Sequence, residues 1–230
     1  MNDSHRPAPR SASVLKTRVL AAHRAEIDAG LAWLATDRSV ESAAAAITRA
    51  RRRFVLGAAT SFTYASLLAA KLSSALAQVT LVDGTIVRPL EILSDVRDSD
   101  VLIAISLYHY RTYTIENARS FAEAGGALVV ITDAPTNPLV GVAAVAVVLE
   151  PTLDRRGEND ITAKDLRMHP ETPRVSPTVL ALVIDTISTL SAASAKGARR
   201  RLAERERLGT RLGLYTESVD PGSDSSDHPG

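Results

Sequence analysis

Five short apolar runs constrain this 230-residue chain more than any other feature. They are Arg53–Gly57 (RFVLG), Gln78–Val82 (QVTLV), Val101–Ser106 (VLIAIS), Ala127–Thr132 (ALVVIT) and Val145–Leu149 (VAVVL). The last three are apolar almost throughout. Successive side chains of a strand point to opposite faces, so an unbroken apolar run belongs to a strand buried on both sides. Between the runs the period becomes helical. Leu15 to Ala35 places Ile27, Leu31 and Leu34 at helical spacing, and Val40 to Ala50 is an Ala-rich helix after Ser39. Ser61 to Leu76 sets Leu67, Leu68, Lys71, Leu72 and Leu76 near one face, and Pro89 to Val96 holds a short helix. Ile115 to Ala124 closes at Gly125–Gly126, a C-terminal glycine signal. Pro177 to Leu190 starts with Ser176 as cap and Pro177 at the first position, and Lys196 to Leu214 is a charged helix. Apolar strands alternating with helices predict an open parallel α/β sheet.

Composition agrees and excludes several function classes. Aromatics are only 4% of the chain against 45% hydrophobic residues, so Ala, Val, Leu and Ile must build the core. With no cysteine, disulfide scaffolds, thiolate nucleophiles, thiolate zinc sites and iron–sulfur clusters are impossible. Scattered histidines give no metal-ligand spacing, and no cofactor is called for. A chain of this length buries about 70% of its unfolded surface and needs no such staple.

The net formal charge is +1, which argues against a protein living on nucleic acid. Basic runs do occur at the ends. Arg6, Arg10, Lys16, Arg18 and Arg24 face only Asp3, and Lys196, Arg199, Arg200, Arg201, Arg205, Arg207 and Arg211 face Glu204 and Glu206. Residues 1–13 and 216–230 are rich in Pro, Ser, Asp and Gly and read as disordered tails. No apolar stretch reads as a bilayer span or a signal peptide, so the expected location is the cytoplasm.

In an open parallel sheet, ligands sit beyond the carboxyl ends of the strands, where strand order reverses. Three loops therefore matter. After the first strand come Gly57, Ala58, Ala59, Thr60 and Ser61, where small residues and two hydroxyls meet a helix N-terminus. That combination can hold an anion, although Thr60 or Ser61 as a plain helix cap explains it equally well. Neither a G-x-G-x-x-G nor a G-K-[ST] pattern is present. After the third strand, Ser106 is followed by Tyr108, His109, Tyr110, Arg111, Thr112, Tyr113 and Thr114. Three of the chain's five tyrosines fall here, with a histidine and a planar guanidinium suited to phosphate or carboxylate. The loop reads as a ligand site, a subunit interface, or both. After the fourth strand, Asp133 reads first as an Asx turn ahead of Pro135 and Pro138, and second as a partner for a sugar hydroxyl or loop amides.

The stretches RRRFVLGAATSFTYASLLAAKL and SDVLIAISLYHYRTYTIENARSFAEAGGALVVITDAPTNPLVGVAAVAVVLE resemble a SIS (sugar isomerase) domain. The nearest subgroup in pattern is the RpiR/MurR-type regulators, and the similarity is dense from Arg51 to Glu150. The resemblance implies a three-layer αβα sandwich on a five-stranded parallel sheet, dimeric or tetrameric, that binds phosphosugars. By position it places Gly57, Thr60 and Ser61 on the first phosphate loop and Ser106 at the start of the second. Many SIS domains read S-x-S-G-x-T there; this chain has Tyr108 and His109 in place of the second Ser and the Gly, and Thr114 at the Thr. Arg111 or Thr112 would replace the missing contacts.

These features divide the chain into a tail (1–13), N-terminal helices (14–50), a SIS-like domain (51–195), a basic helix (196–215) and an acidic tail (216–230). RpiR-type regulators carry a helix-turn-helix domain ahead of the SIS domain; domains usually need about 50 residues, more than residues 1–23 supply. The leading expectation is a phosphosugar-binding sensor or regulatory module. The residues expected at the ligand are Gly57, Thr60, Ser61, Ser106, Tyr108, Tyr110, Arg111, Thr112 and Thr114. The first alternative is an aldose–ketose phosphosugar isomerase, with His109 as candidate base and Glu116 or Glu91 assisting. The second is a DNA-associated regulator acting through its C-terminal arginines.

Overall fold

The five apolar runs form one parallel sheet. The structure, a computed structural model, describes residues 12–149 and 175–214. Along the chain come α1 (Ala12–Leu34), α2 (Ser39–Arg49), β1 (Arg52–Gly57), α3 (Thr60–Ala75), β2 (Val79–Val82) and α4 (Pro89–Leu93). Then follow β3 (Asp100–Ser106), α5 (Thr112–Glu123), β4 (Ala127–Thr132), a 3-10 turn (Val140–Val142) and β5 (Val145–Val148). The last elements are α6 (Pro177–Ser194) and α7 (Ala198–Arg211). Strand order is β2-β1-β3-β4-β5, and every neighbouring pair is parallel. The expected tails at 1–13 and 216–230 lie outside the described residues, except that Ala12 and Ser13 open α1.

The period-two geometry of the strands divides the core. Val55, Ile103, Ile105, Val129 and Ile131 point to one face and pack with α2, α3 and α6 through residues such as Ile47, Leu68 and Ile184. Phe54, Leu56, Leu102, Ala104, Leu128 and Val130 point to the other and meet α4 and α5 through Ile92, Ile115 and Phe121. All seven residues of β3 are buried, as its unbroken apolar run requires. The result is three layers, with α1 laid over α6 where Gly30 meets Val179.

Element ends follow local chemistry. At the end of α5, Gly125 takes φ 96°, its N–H reaches the Ala122 carbonyl, and the Gly126 N–H reaches that of Phe121. That is the Schellman pattern the Gly–Gly pair suggested. Helix α5 begins at Thr112 rather than Ile115, which takes Thr112, Tyr113 and Thr114 out of the loop and into the first turn. Ser176 precedes Pro177 as expected, yet its side chain makes no capping hydrogen bond. Helix α6 also corrects the expectation that no stretch is long enough to span a bilayer. Over 18 residues its mean hydropathy is 1.4, enough by length and composition. Here it buries Val179, Leu180, Val183, Ile184 and Ile187 in the core beside the sheet.

Two buried charges pin the amino-terminal edge of the sheet. Asp100, 1% exposed, accepts from Arg52 Nε at 3.0 Å, Arg52 Nη2 at 2.6 Å and the Arg97 N–H at 2.9 Å. Burial pushes its carboxyl up, but the Arg52 and Arg97 hydrogen bonds and the Arg52 charge outweigh that and hold it below its ordinary value. Arg53 donates to the carbonyls of Ile47 at 2.7 Å, Ala77 at 2.9 Å and Thr48 at 3.0 Å, tying the C-terminal end of α2 and the connection after α3 to β1. Removing the Asp100 charge leaves Arg52 facing a buried partner that no longer attracts it. We expect Asp100→Asn to cost about 2–4 kcal/mol at neutral pH, less than a wholly buried pair because the Arg52 side chain is 26% exposed. A depressed carboxyl adds stability that is complete above its unfolded value of about 3.9 and is lost as pH falls through the lower folded one. Urea unfolding across pH 2–7 should therefore show wild type losing stability below about pH 4, and Asp100→Asn losing less over that range.

Candidate ligand-binding site

From β1 the chain crosses to β2 on one side of the sheet and then returns to β3 on the other. The loops leaving the carboxyl ends of β1 and β3 thus diverge, and a crevice opens between them. Its walls are Ala58, Ala59, Thr60 and Ser61 from the first loop and Ser106, Leu107, Tyr108, His109 and Arg111 from the second, with Thr114 behind.

The first loop depends on Gly57. A Cβ there would lie 2.6 Å from the Ser61 carbonyl oxygen and 3.1 Å from the Ala65 Cβ, so only glycine lets β1 end this close to α3. Ala59 then adopts φ 52° and ψ −128°, a conformation that costs an L-residue about 1–3 kcal/mol. It serves as the N-cap of α3, and no side chain caps that helix. Thr60 and Ser61 are therefore not spent as caps, which removes the plainer of their two explanations. The Ser61 and Phe62 N–H groups close local turns on the Ala58 and Ala59 carbonyls.

In the second loop His109 also has positive φ, at 64°, and its ring lies 4.1 Å from the Tyr108 ring at 44°. The three tyrosines separate here. Tyr108 lines the cleft, whereas Tyr110 packs against the core on the α4–α5 side of the sheet. Tyr113 projects from α5, and its hydroxyl stands beside Gly84 in the loop after β2. Burial, then the nearby Asp83 charge, raises the Tyr113 phenol above its ordinary value. Thr112 is exposed at the start of α5 and lies outside the cleft lining, and Gly57 sits beneath the loop.

A residue that sequence reasoning passed over, Asn137, organises the floor. Its buried Nδ2 reaches the Ser106 carbonyl at 3.1 Å, the Ser106 hydroxyl at 3.0 Å and the Thr132 hydroxyl at 3.0 Å. Its Oδ1 accepts the Leu139 N–H at 2.9 Å, so the Asx turn expected at Asp133 falls at Asn137. Asp133 instead reaches across to the second loop, where its Oδ2 accepts the Tyr108 N–H at 3.0 Å. Nothing local in the sequence pointed from Asn137 to Ser106.

Electrostatically the cleft favours an anion. Among the described residues, its walls carry the hydroxyls of Thr60, Ser61, Ser106, Tyr108 and Thr114, the Arg111 guanidinium at the rim and no carboxylate. The N-termini of α3 and α5 both open onto it, and neither has an acidic residue in its first turn. Glu91 is engaged with the Arg88 N–H and guanidinium, and Glu116 pairs with Arg119; neither lines the cleft. His109 is thus the one imidazole on the walls among the described residues. Among those residues, too, no group of three or more His, Asp or Glu side chains is placed to hold a metal ion. The cleft is narrow, about 20 Å³, room for little more than one water-sized group.

Residues 46–151 match the family model described as SIS domain. The chain carries a SIS domain. Among solved structures, the sugar isomerase domain of the RpiR transcription factor from Sphaerobacter thermophilus superposes with a TM-score of 0.67 at 22% identity. That match covers 86% of this chain and 99% of the other. Vibrio vulnificus NanR complexed with ManNAc-6P gives a TM-score of 0.63 at 14% identity, covering 84% and 68%. A Methanococcus jannaschii protein, whose structure was taken to infer a 3-hexulose-6-phosphate isomerase function, gives 0.53 at 17%, covering 78% and 92%. At these identities the likeness establishes the shared fold. No curated protein matches the chain.

The SIS cleft depends on Asn137, so its donor should not be replaceable by an acceptor. In Asn137→Asp, a buried carboxylate oxygen would face the Ser106 carbonyl, which can only accept, and the Ser106 and Thr132 hydroxyls would have to turn round to donate. We expect a loss of about 2–3 kcal/mol, or roughly 5–10 °C in thermal midpoint, readable by circular dichroism.

Proposed function

We propose that the protein is a non-catalytic phosphosugar-binding module of the SIS type, acting as a sensor or regulatory unit. The observation that carries this reading is the hydroxyl-lined cleft at the strand-order reversal, without a carboxylate among its described walls, onto which two helix N-termini open. A phosphate is the ligand group whose charge and multiple acceptor oxygens such a cleft complements. The ligand of the NanR relative, ManNAc-6P, supports the class of compound. In this reading Ser61, Thr60 and Ser106 meet the phosphate, Arg111 closes over it as a planar fork, and Tyr108 covers the sugar ring. The narrowness of the cleft means that the Tyr108–Arg111 loop moves outward to admit a sugar. A homodimer or homotetramer accompanies the reading. The exposed Val14, Leu15 and Leu20 of α1 provide apolar surface for it, and light scattering would test it.

A second reading, aldose–ketose isomerisation, has one structural observation in its favour. His109 stands on the cleft wall in a left-handed backbone conformation that costs energy to hold. The function inferred for the Methanococcus jannaschii relative points the same way. The His109 ring would have to act as the base without a carboxylate on the described cleft wall to orient it.

A thermal-shift panel of aldose and ketose phosphates, the matching unphosphorylated sugars and inorganic phosphate separates these readings. We expect stabilisation by at least one phosphosugar, none by its unphosphorylated parent, and loss of about tenfold or more in affinity in Ser61→Ala and Arg111→Ala. His109→Ala should retain binding, and no member of the panel should be interconverted. Turnover that disappears in His109→Ala would install the isomerase in its place. A panel without any stabilising member would remove the phosphosugar reading.

A further inference from the structure

The opposite pole of the sheet holds a second concavity, larger than the first. It lies between the C-terminal ends of α2 and α3 and the junction of α6 with α7, and encloses about 920 Å³. The pole is one strand length away from the cleft, about 20 Å. Its rim gathers Arg49, Arg53, Lys196, Arg200, Arg201 and Arg205 against a single acid among the described residues, Glu204. In a chain of net charge +1, that is a strong local segregation of positive charge.

Internal pairing does not account for these cations. Glu204 is already paired with Arg207 through two hydrogen bonds, of 2.5 and 2.8 Å. Arg53 is buried and spends its guanidinium on the Ile47 and Thr48 carbonyls at the end of α2 and on the Ala77 carbonyl just past α3, offsetting the negative end of α2 where it reaches the groove. Among the described residues, Arg49, Lys196, Arg200, Arg201 and Arg205 have no ion-pair partner. The N-terminus of α7 adds to them. Gly197 caps it in a left-handed conformation, lines the groove, and is followed by a first turn without an acid. Beneath this rim, Ala75, Leu76, Ala77 and Leu208 supply an apolar floor.

Size and charge select the ligand. Small-molecule sites typically enclose about 300–1,000 Å³, which includes this groove. A monophosphate brings only about −1.5 to −2 and would leave most of the cations uncompensated. A duplex is a rod that lies on a basic face, and single strands are held by stacking on aromatic rings; the described lining contains no aromatic residue. Arginine forks on more than one element, above an apolar floor, fit a compact anion with several phosphate groups and an attached uncharged body. We propose that this groove is a second ligand site, for a small polyphosphate anion of the nucleoside-triphosphate class. It is independent of the phosphosugar reading of the cleft.

Isothermal titration of the full chain with ATP, inorganic triphosphate and inorganic phosphate tests it, with Arg200→Glu/Arg205→Glu as the first variant. These side chains are exposed, so the variant should fold; Arg49→Gln, on a different helix, is the second variant if it does not. The expected result is binding of ATP and triphosphate, weak or no binding of phosphate, and at least tenfold loss in the double variant with its circular dichroism spectrum unchanged. ATP binding tighter than triphosphate shows use of the apolar floor; equal binding shows recognition of the phosphates alone, and either supports the site. No binding of ATP or triphosphate overturns the proposal, as does binding unchanged in both variants. Tighter, variant-sensitive binding of duplex DNA or of polyglutamate also overturns it, by assigning the groove to a macromolecule.

Discussion

The parallel pairing of β1 with both β2 and β3 governs the rest of the molecule. Because each crossover needs a helix, both faces of the sheet are covered, and its central strands must be apolar on both sides. Because the chain leaves β1 in one direction and comes back in the other, two loops part at the carboxyl pole. Everything that gives the SIS cleft its chemistry stands on those two loops and on the helices that begin from them. The closeness of β1 to α3 at Gly57, and the left-handed Ala59 that follows, are local consequences of turning a buried strand directly into a helix.

Burying a sheet on both faces makes every polar group at its ends a liability unless it is satisfied. Both poles answer this with side chains rather than with secondary structure. At the amino pole, Asp100 is held by Arg52, and Arg53 gathers carbonyls from the end of α2 and from the connection after α3. At the carboxyl pole, Asn137 and Asp133 bridge from the loop after β4 to the loop after β3. The same residues that satisfy the fold therefore set the positions of Ser106 and Tyr108 in the cleft. Stability and the shape of the cleft are coupled there through shared hydrogen bonds.

Much of this was legible in the sequence. Unbroken apolar runs identified the strands, the glycine pair identified the end of α5, and the hydroxyl-bearing loop after β1 identified one wall of the cleft. The aromatic cluster after β3 was legible only as a cluster. Tyr108 lines the cleft, Tyr110 joins the core beneath the other face, and Tyr113 meets the loop after β2. An extra turn of helix decided part of that, since α5 starts at Thr112 and rotates its first residues away from the loop. Glu91 and Glu116, chemically suitable as bases, satisfy Arg88 and Arg119 instead, because a partner three residues away on a helical turn outcompetes a distant site.

By itself, then, the sequence determined the layers, the direction of the strands and which loops would line the cleft, because hydrophobic periodicity and turn chemistry act over a few residues. Only the tertiary structure decided which side chains meet across those loops. Asn137 reaches Ser106 over a separation of 31 residues, and Arg49 joins Arg200 and Arg205 at the far pole from opposite ends of the chain. Such meetings depend on strand order and register, which arise from the packing of the whole sheet rather than from any local pattern.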